Sequence, residues 1–430
     1  KAQVKLVGGA QINVGGTLCI DGWLEGDIVL NGGTLRIDDD TTISSDSSIL
    51  LSSSSILRIV GGSSLTYGGD ALNVDNKTLS LSGGGSLVLN SDGSNPVTLN
   101  NADGELEFSG DNITTVSHVK TSSGATTNMP TLKMTGSGVI QNLAHEEFLE
   151  INFASGKTLS VEQAFEVPAG KQMTITGAAG TLTLGDNMSL TGTLNLAVED
   201  AILSSGSLTL NGGLLEVSED ASISSAVIQK VSSEFSVATG KTLSYTGSSF
   251  DISAYTLTLS GGGNFQSGGL DLNNANSKLL LSSITVDSVS TTVDNSLGVD
   301  VDNDSTITSL SVANITPVSI ASGKTLSGAI TVTAGSLKLT EAGTLASSVS
   351  MSGGVLDADE SSTVSGALSH TADITIDVAD NKTLTYSGAP ISLGANTLTL
   401  SGGGSLVSGG LTLNNASSKL LLNSITVDNV

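Results

Sequence analysis

Short runs of alternating apolar and small polar residues fill the chain, each lasting three to six residues and ending in a glycine-rich or polar turn. Typical blocks are Leu208-Thr209-Leu210-Asn211-Gly212-Gly213, Leu257-Thr258-Leu259-Ser260-Gly261-Gly262 and Leu398-Thr399-Leu400-Ser401-Gly402-Gly403. A period of two sends every second side chain to one face, as in a strand with one buried side. Val, Ile and Thr are frequent, and their branched Cβ suits extended backbone. Helical periodicity is nearly absent. Only Leu143–Ile151 admits a short helix or an irregular coil.

Strands this short suit either a sandwich or a solenoid, and repetition decides between them. Residues 241–289 and 382–430 match without a gap at an offset of 141, with about two thirds of positions identical. The match continues upstream, where Gly212-Gly213-Leu214-Leu215 meets Gly353-Gly354-Val355-Leu356. This defines super-repeats over 201–289 and 342–430. Ala154–Ser160 recurs unchanged at Ala321–Ser327. Smaller blocks return at roughly 20-residue intervals, the length of one solenoid coil. Stacked coils give equivalent positions equivalent surroundings, whereas a sandwich needs no such repetition. The expected fold is therefore all-β: a parallel β-helix (β-solenoid), right-handed, of about 20 coils over residues 1–430. An irregular excursion is expected near 120–153. At about 4.8 Å per coil the rod would be roughly 100 Å long. Asn273-Asn274 and Asn414-Asn415 are expected to form turn ladders whose side chains bond along the axis.

Composition narrows the function. The chain carries 16 Lys+Arg against 41 Asp+Glu, a net charge of −25, which argues against binding nucleic acid. Its one cysteine, Cys19, cannot build a disulfide scaffold and reads as a small buried hydrophobe beside Leu18 and Ile20. No apolar run approaches the roughly 20 residues of a membrane-spanning helix, so no membrane insertion is expected within this chain. Neither end carries a polar cap of the kind terminal repeats supply, so the chain is expected to be a piece of a longer protein or a subunit stacked end to end.

The acidic turns are the main candidates for chemistry. Asp300, Asp302 and Asp304 alternate, which would aim three carboxylates to one side of an extended segment. Asp38, Asp40, Asp357 and Asp359 sit in similar turns. Hard oxygen ligands from neighbouring turns can hold Ca²⁺, and these seven residues are the candidate ligands. The same residues also read as a solvated edge that blocks sideways aggregation. No other cofactor is expected. Paired threonines (Thr174/Thr176, Thr181/Thr183, Thr256/Thr258, Thr331/Thr333, Thr397/Thr399) resemble an ice-binding array, but outward Thr is also an ordinary strand residue. The Gly-Lys-Thr runs at 156–158, 240–242 and 323–325 lack the upstream glycine of a phosphate loop and read as turns. A polysaccharide-degrading enzyme would need clustered acids with aromatic platforms. The chain offers 12 aromatics, Arg36 and Arg58, and the scattered His118, His145 and His370, so no catalytic residue is assigned.

With its LTLSGGG, GKTLS and LNNA blocks, nearly the whole chain resembles the Ser/Thr/Gly-rich repeat regions of large bacterial cell-surface adhesins, of the autotransporter and haemagglutinin-like β-helix type. The resemblance implies export to the cell surface, a stalk or filament role, and contact with a cell-surface or matrix component. It carries over no functional residue. The expected function is a non-enzymatic structural and adhesive extracellular rod, with end-to-end self-association as one mode of assembly. A Ca²⁺- or glycan-binding adhesin module and a β-helix enzyme are the alternatives.

Overall fold

The computed structural model describes residues 3–89, 95–110, 112–124, 128–248 and 250–428. Part of the stretch 120–153 (residues 125–127) and the last two residues of the second super-repeat lie outside them. Among the described residues every regular element is a strand, and the strands stack in parallel as a β-solenoid of about twenty turns. The chain divides into two units, Lys1–Val227 and Ile228–Val430.

In the first unit, one ladder begins with Thr17–Ile20, Thr34–Ile37, Ser55–Ile59, Thr78–Ser82 and Glu105–Phe108. It continues through Thr131–Met134, Leu149–Phe153, Gln172–Gly177, Thr193–Leu196 and Leu214–Val217. Coil length varies: Thr17 faces Thr34, whereas Thr78 faces Glu105. The ladder still keeps like beside like. Leu79, Leu106, Leu132, Ile151, Ile175, Leu196 and Val217 form one inward line, all buried. Each such side chain removed from water contributes roughly 1.5–3 kcal/mol, offsetting the entropy lost in ordering its coil.

Large rings need room that a narrow coil lacks, and glycine in an adjoining strand supplies it. A Cβ on Gly138 would lie 2.3 Å from the Phe108 ring, and one on Gly180 would lie 2.3 Å from the ring of Phe153. Each ring fills the space left by a missing side chain.

The second unit repeats the scheme. Its ladder runs through Ser233–Val237, Thr256–Ser260, Lys278–Ser282, Gly298–Val301 and Ile315–Ile320. It then passes through Ser336–Leu339, Val355–Ala358, Ile374–Val378, Thr397–Ser401 and Lys419–Leu422. Phe235 packs edge-on against Phe265 with ring centroids 5.7 Å apart, and Phe250 lies 5.9 Å from both Phe235 and Tyr245. The cluster fills the interior of these coils.

A recurring Leu-x-Tyr-x-Gly block closes a corner. Tyr67, Tyr245 and Tyr386 each lie under the glycine two residues on. A Cβ on Gly69, Gly247 or Gly388 would approach the hydroxyl to 2.7, 2.5 or 2.6 Å. The Tyr386 hydroxyl accepts the Leu368 N–H at 3.1 Å and donates to the Ala389 carbonyl at 2.6 Å, and Tyr67 accepts the Ile49 N–H at 3.0 Å. Burial raises the pKa of the Tyr67 phenol above its ordinary value. Tyr386→Phe removes two hydrogen bonds from backbone groups while keeping the ring. The expected loss is about 1–3 kcal/mol in chemical denaturation.

Three expectations are corrected. Leu143–Ile151 is two strands, Gly138–His145 and Leu149–Phe153, joined by a bend. Leu143, His145, Leu149 and Ile151 all point inward, and backbone pairing with Thr114–Thr121 and Thr131–Met134 overrides any local helical tendency. Cys19 is exposed. Ile20 takes the buried position, so alternation turns Cys19 outward, opposite Arg36 of the next coil. The Asn-Asn turns do not stack on each other, because their equivalents lie 141 residues apart. Instead each closes its own turn: Asn274 Oδ1 accepts from Asn276 N at 3.0 Å, and Asn415 Oδ1 from Ser417 N at 2.9 Å. An axial Asn–Asn bond does form elsewhere, from Asn31 to Asn13 at 2.9 Å.

The Gly-Lys-Thr runs are turns. The N–H groups of Lys157, Lys241 and Lys324 donate to the carbonyls of Ala154, Ala238 and Ala321 at 3.2, 3.0 and 2.9 Å. The intervening Gly156, Gly240 and Gly323 have φ of 71°, 75° and 75°, the left-handed third position that such turns reserve for glycine.

Candidate functional site

The structure gathers charge most clearly on the outer face of the second unit. Lys278 leads an outward line that continues through Gly298, Pro317 and Lys338 in successive coils. Gly298 has φ of 63°, and a Cβ there would lie 1.9 Å from the Pro317 carbonyl, so nothing larger fits. The gap leaves a groove of about 500 Å³ lined by Lys278, Leu297, Asp300, Ile315, Pro317 and Lys338, among others.

Both lysines are held by carboxylates of the following coil. Lys278 Nζ lies 2.5 Å from Asp300, and Lys338 Nζ lies 3.0 Å from Asp359 and 3.3 Å from Asp357. The hydrogen bond with Asp359 is the chief reason the Lys338 pKa rises. Asp357 is half-buried, and desolvation raises its pKa although Lys338 opposes the change. Its register neighbour Asp377 adds like charge. Asp359 is thus the principal partner of Lys338, and Asp357 is the strained member of the cluster. A similar pair joins Lys382 to Glu360 at 2.5 Å.

The other acidic candidates lie apart. Asp300 belongs to Gly298–Val301, but the chain bends at Asp302 and Asn303 before the next strand begins at Ser305. The three alternating carboxylates therefore do not share one extended segment. Asp304 Oδ1 accepts the Thr325 N–H at 2.8 Å, and Asp302 is exposed on the bend. In the first unit Asp38 lies 2.7 Å from Arg36, and Asp40 Oδ1 accepts both the N–H and the hydroxyl of Ser64 at 2.9 Å. Among the described residues no group of three or more His, Cys, Asp or Glu side chains is placed to hold a metal ion.

The remaining candidates distribute similarly. Arg36 and Arg58 are register neighbours on the outer face of the first unit. His145 is buried there, with Nδ1 3.3 Å from the Glu166 carbonyl. The Thr pairs make no continuous array. Thr181/Thr183 meet Ile202/Ser204, and Thr256/Thr258 meet Lys278/Leu280.

Sequence reasoning missed the lysine–carboxylate clamps. Their signal was a lysine followed one coil later by an acid: 22 residues for Lys278 and Asp300, 19 and 21 for Lys338 with Asp357 and Asp359. Each clamp ties two coils together and leaves the trough between them open. Comparison with protein-family models, curated proteins and solved structures finds no match to this chain.

Proposed function

We propose that this chain is a non-enzymatic structural and adhesive segment of a large extracellular or cell-surface protein, or of a surface filament, whose stacked coils space or present a contact surface. One observation carries the reading. Charged side chains of the outer face (Lys278 with Asp300, Lys338 with Asp359) join neighbouring coils of the same unit to one another. The rest of the outer face is largely Ser, Thr and Asn, and the net charge of −25 keeps like surfaces apart in solution.

Two measurements test it. Antibody against this chain is expected to label intact source cells, and label seen only after lysis would overturn the surface placement. The melting temperature is expected to be the same in EDTA and in excess Ca²⁺. A bound cation would raise it by mass action, so a fall on chelation would replace this reading with the Ca²⁺-binding module.

A further inference from the structure

The groove between the two lysine clamps combines three kinds of surface. Its ends are the Lys278–Asp300 and Lys338–Asp359 pairs, which stand three rungs apart, roughly 14 Å along the stack. Between them the floor is aliphatic. Leu297 and Ile315 are 46 % and 42 % exposed, beside the ring of Pro317 and the gap left at Gly298. Ser319 and Thr340 add hydroxyls along one side. The rim is braced from within. Asn295 Nδ2 donates to the carbonyls of Asn274 and Ser277 at 2.9 and 3.0 Å, while its Oδ1 accepts from Leu297 N and Gly298 N at 2.8 and 2.5 Å. A surface fixed in this way loses little freedom when it is occupied.

The chemistry of the groove selects its occupant. A peptide strand would need unpaired main chain, but Gly298–Val301 is paired to Lys278–Ser282 and to Ile315–Ile320, and the latter also to Ser336–Leu339. An anion would find each lysine already neutralised by a carboxylate, in a chain of net charge −25. A wholly apolar ligand would take both ion pairs out of water uncompensated. A hydroxyl both donates and accepts, so neighbouring hydroxyls can use the two halves of one ion pair. We propose that this groove binds a neutral oligosaccharide lying along the stack. At each end one hydroxyl donates to the aspartate while its neighbour accepts from the lysine, and the C–H faces of the rings lie on Leu297, Ile315 and Pro317. The separation of the clamps calls for several linked rings. The inference rests on the adhesive reading above and gives it a ligand class.

The test titrates the full chain, by calorimetry, with neutral tetrasaccharides (cellotetraose, maltotetraose, mannotetraose and chitotetraose) and with anionic tetragalacturonate. At least one neutral sugar is expected to bind, one per chain and more tightly than tetragalacturonate. Asp359→Asn should weaken it about tenfold, the loss expected when a charged acceptor is removed, while Lys338 keeps Asp357. Ser319→Trp should abolish binding by filling the groove. Thr258→Trp, two rungs before Asp300 on the same face, should leave it unchanged. If Ser319→Trp fails to fold, Asp359→Asn carries the test. The proposal is overturned if no neutral sugar binds, if tetragalacturonate binds more tightly, or if Asp359→Asn or a folded Ser319→Trp binds as well as the parent chain. Absent sugar binding with labelled intact cells removes this site and leaves the adhesive reading standing. Sugar binding without cell labelling does the reverse.

Discussion

Gly138→Val should destabilise the surrounding coils of the first unit by about 3 kcal/mol, at the upper end of overpacking costs. A Cβ at this position would lie 2.3 Å from Cδ1 of Phe108 and 2.7 Å from two further ring atoms. Phe108 is fully buried and cannot swing aside without forcing its neighbours off their rotamers. Phe108→Leu shortens the ring to a branched chain and should recover much of the loss in the double variant. The two sites should therefore show a coupling energy of about 1–3 kcal/mol. Solenoid units need not unfold in a single step, so the readout is hydrogen exchange of the amides in Thr131–Met134 and Gly138–His145. Full protection in Gly138→Val, or additive effects in the double variant, would show that the ring does not depend on that gap.

Acidification should weaken the same region through His145. Burial lowers its pKa to about 4 from the ordinary 6.5, only partly opposed by the backbone of Glu166 and Gln172 and the charge of Glu147. Its Nε2 is buried without a partner. Above pH 6.5 the imidazole is neutral in both folded and unfolded chains, so it adds no pH dependence. Between 6.5 and 4 the unfolded chain takes up the proton first, so stability falls as pH falls, by up to about 3 kcal/mol once pH drops below the folded value. His145→Leu should flatten the stability profile over that window while leaving the carboxylate-driven losses at lower pH. Identical profiles for the two proteins between pH 7 and 4.5 would mean that the imidazole is not held neutral inside.

These two residues also mark where sequence reading stops. Alternation and self-similarity made the architecture legible, because Leu, Ile and Val recur wherever a coil faces its interior. The match at an offset of 141 aligns Thr256–Ser260 with Thr397–Ser401, and both segments are strands. Counting could not place Gly138 against Phe108. Coils vary from the 17 residues between Thr17 and Thr34 to the 29 between Ser86 and Thr115, and cross-interior contacts depend on that count. The candidate site was half legible. Asp300, Asp357 and Asp359 were singled out, but as a metal set, because the bend after Val301 leaves no mark in a linear run and the lysines stand one coil earlier, at spacings of 19 to 22 residues that shift with coil length. Cys19 was misplaced because Leu18, Cys19 and Ile20 are all apolar, and only the neighbouring rung shows which of them faces in.

Each rung in either unit bonds to the rungs just before and after it, about twenty residues away along the chain. Ordering one more turn therefore closes only a short loop, at little entropic cost. A finished turn offers the next a complete row of amides and carbonyls, so it acts as a seed. The slow step is the first such seed, and order can then advance as a front from the N-terminal side while the remaining polypeptide is still being delivered.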